Sequence, residues 1–394
     1  MNKFKLISLT ASLVLAITFT LSCSGDNDDG GNSSSSGGGG SSSSVGGDGS
    51  SSSESGIAVP GTGLVAKLLW ISNNAVSNTD YIVNVTENEA IAPQTLSYPG
   101  KTGITINLKG PGYVISPASN GRVFEILAGV TLVLENITLD GGGTNTTELV
   151  YVRDDGTLIM KDGAKIKNNL YSGVHLYGYN TMPLFVMDGG EITDNIFSSD
   201  QDGGGGVLVR WGKFVMNGGL IARNKCNNTI NGGGGIYVYG ESATFTMNGG
   251  KISDNTVYHN NYGGGVLVIE GTFTMTGGEI SGNKVMDDSG ANIAGEGGGV
   301  ANSGTFIMSG GIIARNSAGE AGGVRVQFGN FEKTASGGII YGNDGGENAN
   351  VTANAKGNAI YVYFTNIRRD NTVGASERLY CGNDGTYEGN WIKD

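Results

Sequence analysis

Apolar and polar residues alternate in short stretches along most of this chain, and the stretches recur in a fixed order. The repeated tract is Phe-X-Met-X-Gly-Gly-X-Ile-X-X-Asn. Each copy follows glycine and then Val or Ile, where a strand is predicted to begin. The asparagines that end successive copies lie about 27 to 33 residues apart, which is the spacing of a repeat array. The copies begin at Phe185, Phe214, Phe245, Phe273 and Phe306, and a degenerate copy begins at Phe331.

Each copy contains three short strand patterns separated by glycine or asparagine turns. Because side chains alternate across a strand, one side of each copy is apolar. One copy cannot enclose a core, but stacked copies join their apolar residues into rows about 4.8 Å apart. The pattern therefore predicts an all-β fold, a single-stranded parallel β-helix of about 8 to 10 coils. In the copy that starts at Gly263, the predicted inward residues are Val266, Val268, Phe273, Met275 and Ile280.

The asparagine that ends each copy is predicted to be structural. Its short amide side chain can bond the turn backbone and the same amide in the next coil. The glycine pair within each copy predicts a tight bend that needs positive φ or a close backbone approach. The predicted asparagine ladder consists of Asn195, Asn224, Asn255, Asn283, Asn316 and Asn343.

The N-terminal residues differ in composition from the repeats. Lys3 and Lys5 precede an apolar run that ends at Leu21, as in an export signal. Cys23 follows Ser22 and resembles the lipidated cysteine of bacterial lipoproteins. The next stretch is rich in Gly, Ser and Asp and has almost nothing apolar to bury. We predict an export signal with lipidation at Cys23 (1–23), a disordered linker (24–56), a cap with a first irregular coil (57–100), the β-helix (101–365) and a C-terminal cap or tail (366–394).

These segments predict an exported protein that is anchored by a lipid to the bacterial outer membrane or cell surface, with simple secretion as the alternative. The formal net charge of −12 argues against nucleic acid as a partner, because phosphates need a basic face. No Cys and His spacing suggests a metal site, and no cofactor is expected. Cys226 and Cys381 are expected to be free thiols, although a disulfide between them stays open. We expect a monomer.

The repeats resemble the right-handed parallel β-helix family with its pectate-lyase-like architecture, and more narrowly bacterial surface lipoproteins with this fold. Their glycine and asparagine tracts are also similar to the repeats of chlamydial polymorphic outer-membrane proteins. The repeats depart from that pattern at the position three before the asparagine, where isoleucine replaces phenylalanine. The resemblance implies a right-handed coil and a role in display and adhesion.

Alternation places large polar and aromatic side chains on the outward side of the first strand of each copy. Exposed rings of this kind could stack on sugars or form a protein-binding strip, since they bind with little entropy loss. The competing interpretation is that tyrosine merely suits exposed strand positions. The candidate ligand-binding residues are His175, Tyr177, Arg210, Trp211, Tyr237, Tyr239, Arg325, Tyr361 and Tyr363. They predict a non-catalytic binding module for a polysaccharide or a surface protein.

A polysaccharide lyase or glycoside hydrolase that acts in the groove along the first-strand sheet is the alternative. The resemblance implies a Gly-His-Gly tract for such a hydrolase, yet His175 and His259 have no flanking glycines. Arg210 and Arg325 stand where a lyase base could lie, but no aspartate cluster accompanies them. The sequence therefore predicts no catalytic residue and no metal ligand.

Overall fold

A computed structural model describes most of the chain after the predicted linker. Cys23, Asn343 and Cys381 fall outside the described residues, as does the side chain of Tyr363. Within the described ranges, no helix combines the length and the apolar character needed to cross a membrane. The described residues are 55–228, 231–259, 261–287, 289–290, 295–333, 338–342, 347–353 and 359–363, with backbone strands at 367–369 and 386–387.

The described chain is a right-handed parallel β-helix of about ten turns, so the predicted fold class is confirmed. Equivalent strands of successive coils pair in parallel, and we call each stack of strands a ladder. Two long strands, Val266–Met275 and Val300–Met308, contribute to both ladder 1 and ladder 2. The other strands of ladder 1 are Gln94–Leu96, Phe124–Ile126, Val150–Arg153, Val174–Tyr177, Val207–Arg210, Ile236–Tyr239, Val324–Gln327 and Ile360–Tyr363.

Ladders 2 and 3 complete the three strands that the sequence predicts for each coil. The other strands of ladder 2 are Ile57–Ala58, Thr79–Asn84, Ile104–Lys109, Val130–Glu135, Thr157–Met160, Leu184–Met187, Lys213–Met216, Thr244–Met247, Asn330–Lys333 and Ile367–Arg369. Ladder 3 consists of Glu89–Ile91, Val114–Pro117, Thr138–Asp140, Lys165–Lys167, Glu191–Thr193, Leu220–Ala222, Lys251–Ser253, Glu279–Ser281, Ile312–Ala314 and Ile339–Ile340.

A fourth ladder of two-residue strands follows the asparagine, and the sequence analysis does not anticipate it. It consists of Ile196–Phe197, Lys225–Cys226, Thr256–Val257, Lys284–Val285, Ser317–Ala318 and Val351–Thr352. Gly203–Gly204 pairs with Gly232–Gly233 beside it, and Thr386–Tyr387 pairs antiparallel with Ile360–Tyr363. Cys226 lies buried in this ladder as a free thiol.

Stacked rows of identical side chains form the core. Consecutive phenylalanine rings from Phe185 to Phe306 lie 4.5 to 4.9 Å apart with nearly parallel planes. The isoleucines of ladder 3, such as Ile221 and Ile252, pair in register and are fully buried. These rows confirm the inward positions that alternation predicts, because a parallel register sets each residue above its counterpart in the previous coil.

The asparagines form a continuous buried ladder. The side chain of Asn255 accepts from the backbone and amide nitrogens of Asn224, both at 3.0 Å, and donates to Asn283 at 2.9 Å. The same arrangement links the predicted members from Asn195 to Asn316. Asn350 continues the ladder, since its side chain accepts from the backbone and amide nitrogens of Asn316 at 2.9 and 3.0 Å. The last predicted member, Asn343, lies outside the described residues.

The glycine pairs behave as predicted. The second glycine has positive φ in the regular copies, for example 80° at both Gly190 and Gly250. The first glycine lies against the previous coil, since a Cβ on Gly249 would come within 2.4 Å of the Asn217 carbonyl oxygen. Both positions therefore need glycine, one for its conformation and the other for its size.

A helix, Leu64–Asn74, packs at the N-terminal end of the β-helix. Its Leu64, Leu68 and Ile71 side chains are buried against the first coils. The carboxylate of Glu89 accepts from the first backbone N–H of the helix at 2.8 and 2.9 Å. A carboxylate at this place stabilises the helix, because the N-terminal N–H groups have no partner within the helix.

Candidate functional site

The segments that lead into the first strands fold back over the outward side of ladder 1. A second apolar cluster forms there, separate from the core, and contains Leu208, Tyr237, Leu267 and Ala301. Tyr262, from one of the lead-in segments, packs against this cluster. The lead-in glycines permit this close approach, since a Cβ on Gly204 would lie 2.2 Å from the Val207 carbonyl oxygen. The second residue of each first strand is thereby covered in these coils.

This covering corrects the predicted exposed strip. Alternation places the candidate side chains on the outward side as expected, but four of them are buried: His175, Tyr237, Arg325 and Tyr361. Strand alternation gives the side of the sheet, whereas exposure depends on whether another segment covers that side. The fourth residue of each strand lies at the rim of the cover, so Tyr177, Arg210 and Tyr239 stay partly exposed.

An aromatic group is centred on Trp211, which occupies the corner after the first strand of its coil. Its indole lies 5.5 Å from the Tyr177 ring, 5.6 Å from Tyr179 and 5.8 Å from Tyr239. The Arg210 guanidinium lies 5.5 Å from the Tyr239 ring and 6.0 Å from the indole, within cation–π range. We call Tyr177, Tyr179, Arg210, Trp211 and Tyr239 the Trp211 cluster.

Register explains how residues distant in sequence meet in the cluster. Arg210 pairs with Tyr177 of the previous coil and with Tyr239 of the next, so the three side chains stack in one column. The indole of Trp211 extends over the following coil at Gly240, where a Cβ would lie 2.2 Å from its Cδ1 and Nε1 atoms. Glycine at this corner makes room for the ring. Tyr179 is 71% exposed and forms the outer edge.

The aromatic contacts continue toward the N-terminal end through a residue that the sequence analysis missed. The Tyr151 ring lies 5.0 Å from His175 and 6.4 Å from Tyr177. The Arg122 guanidinium covers it at 4.4 Å and is paired with Glu148 at 2.6 Å. Tyr151 is the register partner of His175, so extending the predicted column by one coil would have found it. Tyr179 lies beyond the strand, where alternation makes no prediction.

Several buried polar atoms in and around the Trp211 cluster make no hydrogen bond within the described part of the chain. They are Nε2 of His175, Oδ1 of Asp202, Nε of Arg210 and the Tyr237 hydroxyl. Burial, with the positive charges of Arg210 and Arg122, lowers the pKa of His175 to about 3, so its imidazole is neutral at physiological pH. Burial and the carboxylate of Asp202 raise the pKa of Tyr237 far above its ordinary range. Each unpaired buried polar group lowers the stability of the fold by about 1 to 3 kcal/mol. Such groups occur at functional sites and also where a buried water supplies the hydrogen bond.

The remaining candidates lie apart from the Trp211 cluster. Arg325 is buried, paired with Glu296 and Gln327, and covers the Tyr262 ring at 4.3 Å. Tyr361 is its register partner in the next coil and is also buried. Arg325, the second candidate for a lyase base, is therefore engaged in a buried ion pair.

Neither a group of metal-binding side chains nor a similar protein indicates what this site does. In the residues that the structure describes, no three His, Cys, Asp or Glu side chains are grouped closely enough to hold a metal ion. No protein-family model, curated protein or solved structure matches the chain.

Proposed function

We propose that this protein is a lipid-anchored, surface-displayed β-helix whose Trp211 cluster binds a glycan without changing it chemically. One observation carries the binding role: partly exposed aromatic rings are in mutual contact across three coils, from Tyr177 through Trp211 to Tyr239. The anchor rests on the sequence, with Cys23 as the lipidated residue and 24–56 as the spacer that holds the β-helix away from the membrane. The resemblance to surface β-helix lipoproteins supports the same role.

The cluster favours a sugar over a protein as its ligand. A stable protein interface covers about 800 Å² on each partner, which is far more than a few rings provide. Apolar ring faces suit the C–H faces of a sugar, and the adjacent Arg210 guanidinium and tyrosine hydroxyls suit its hydroxyl groups. The rings also lose little conformational entropy on binding, because contacts with neighbouring side chains already fix their positions.

Affinity electrophoresis in gels that contain single polysaccharides tests the proposal. The protein without its signal should be retarded by at least one polysaccharide, and Trp211→Ala should weaken that binding by about 2 kcal/mol, roughly thirty-fold in Kd. Leu69→Ala is the control, since Leu69 is an exposed apolar residue of the N-terminal helix. Retardation that is equal in wild type and Trp211→Ala would refute the site. Absence of retardation by every polysaccharide would refute glycan binding and favour a protein ligand.

A polysaccharide lyase or glycoside hydrolase is the second candidate function. The unpaired buried atoms of His175 and Tyr237 favour it, because titratable groups with shifted pKa values beside a binding surface are typical of active sites. Incubation of the retained polysaccharide with the protein distinguishes the two functions. A binding module leaves the polymer intact, whereas a lyase produces unsaturated ends and a hydrolase produces reducing ends.

A further inference from the structure

Two corners of the β-helix carry aromatic residues in a backbone conformation that disfavours them. Trp211 has φ of 54° and Phe328 has φ of 57°, both in the left-handed region. At the same corner other coils have Gly240, Asp154 or Glu270. A bulky residue in this region costs on the order of 1 kcal/mol, so its presence points to a role other than stability.

Trp211 and Phe328 occupy equivalent positions in the coil. Trp211 follows Arg210, whose column continues through Tyr239 and Ile269 to Ser303. Phe328 follows Gln327, which lies in the strand Val324–Gln327 that pairs with Val300 onward. The two aromatic corners are therefore four coils apart, which is about 19 Å at about 4.8 Å for each coil.

The corners between Trp211 and Phe328 carry small or polar residues. Gly240 and Gly304 have no side chain, and Glu270 is exposed. Phe328 is 72% exposed and occupies the next corner along the same row of corners. A ligand that lies along this row from the Trp211 cluster therefore reaches Phe328 without crossing another large side chain at these corners.

We propose that Phe328 is a second contact position for the glycan, and that the ligand is an extended polysaccharide lying along the β-helix axis. This inference rests on the proposed function of the Trp211 cluster. Two contact positions raise the affinity of the protein for a single polysaccharide chain, because the second contact forms at high effective concentration once the first is made. A monosaccharide or disaccharide spans only one of the two positions and gains nothing from the other.

The test compares Phe328→Asn with Trp211→Ala on one polysaccharide that retards the wild type and on oligosaccharides from its partial hydrolysis. Asparagine tolerates the left-handed conformation, so Phe328→Asn removes the ring and keeps the backbone. We expect Phe328→Asn to weaken binding of the polymer at least about tenfold and to leave the shortest bound oligosaccharide unaffected. Trp211→Ala should weaken both. Val76→Asn, at another exposed apolar residue, is the control and should weaken neither.

Three results would overturn the inference. Unchanged polymer binding by Phe328→Asn, with weaker binding by Trp211→Ala, would remove Phe328 from the site and leave the proposed function intact. Equal weakening of polymer and short oligosaccharide by Phe328→Asn would show that the residue does not act as a distant contact. Absence of any polysaccharide binding by the wild type would overturn both the inference and the function on which it rests.

Discussion

Replacing one buried asparagine should destabilise the β-helix far more than replacing an exposed asparagine of the same coil. Asn255 is fully buried, and its side chain makes four hydrogen bonds. It accepts twice from Asn224 and donates to the Ile221 carbonyl at 3.0 Å and to Asn283 at 2.9 Å. Asn248 is exposed and makes two side-chain bonds, to Asn217 at 2.9 Å and from Thr276 at 2.8 Å.

The expected loss follows from the number and burial of these bonds. Each buried hydrogen bond contributes about 1 kcal/mol, so Asn255→Ala should lower the free energy of unfolding by about 4 kcal/mol. The loss can exceed this value, because the backbone N–H of Asn224 loses its side-chain acceptor in a buried place. Asn248→Ala should cost less than about 1 kcal/mol, since water replaces its partners at the surface.

Urea unfolding followed by circular dichroism measures the difference between the two variants. Hydrogen exchange with mass spectrometry then locates it, because a repeat array loses stability first near the altered coil. Faster exchange should centre on the turns that contain Asn224 and Asn283. Equal stability of Asn255→Ala and Asn248→Ala, within about 0.5 kcal/mol, would show that the asparagine ladder does not hold the coils together.

Two further predictions concern the interior. Ile252→Asp places an unpaired charge in the isoleucine row and should unfold several coils, whereas the control Ile252→Val should cost only about 0.5 to 1.5 kcal/mol. Near-normal circular dichroism and thermal stability of the aspartate variant would contradict the inward orientation of the Ile252 side chain. Burial raises the pKa of the Cys226 thiol to about 12, so iodoacetamide at pH 8 should leave its peptide unlabelled in native protein and label it in urea. Rapid native labelling would contradict that burial.

The sequence contains most of the information for the core. The Phe and Ile rows follow from strand alternation and from the equal order of residues in each copy, because a parallel register stacks equivalent positions. The glycine pairs follow from conformation and size. Two features do not follow. Two-residue strands such as Lys225–Cys226 are too short for alternation to reveal, and Asn350, which extends the asparagine ladder beyond Asn316, follows the end of the degenerate copy.

The site is predictable in part for the same reasons. Alternation and register bring together Tyr177, Arg210 and Tyr239, and the corner adds Trp211. The burial of residues such as Tyr237 depends on a tertiary contact, the folding of a glycine-rich lead-in segment over the strand, which no local pattern encodes. Tyr179 lies in a corner loop where side-chain direction depends on the particular turn. Sequence reasoning therefore found the column of the site and overestimated its exposed length.

The fluorescence of Trp211 provides the most direct test of glycan binding at the cluster. The chain has three tryptophans, and the double variant Trp70→Phe, Trp391→Phe leaves Trp211 as the single emitter. Titration with a polysaccharide that retards this variant in a gel should change the Trp211 emission in a saturable manner, because a sugar on the indole displaces water from it. Unchanged emission at concentrations that retard the variant would place the glycan elsewhere and contradict the account.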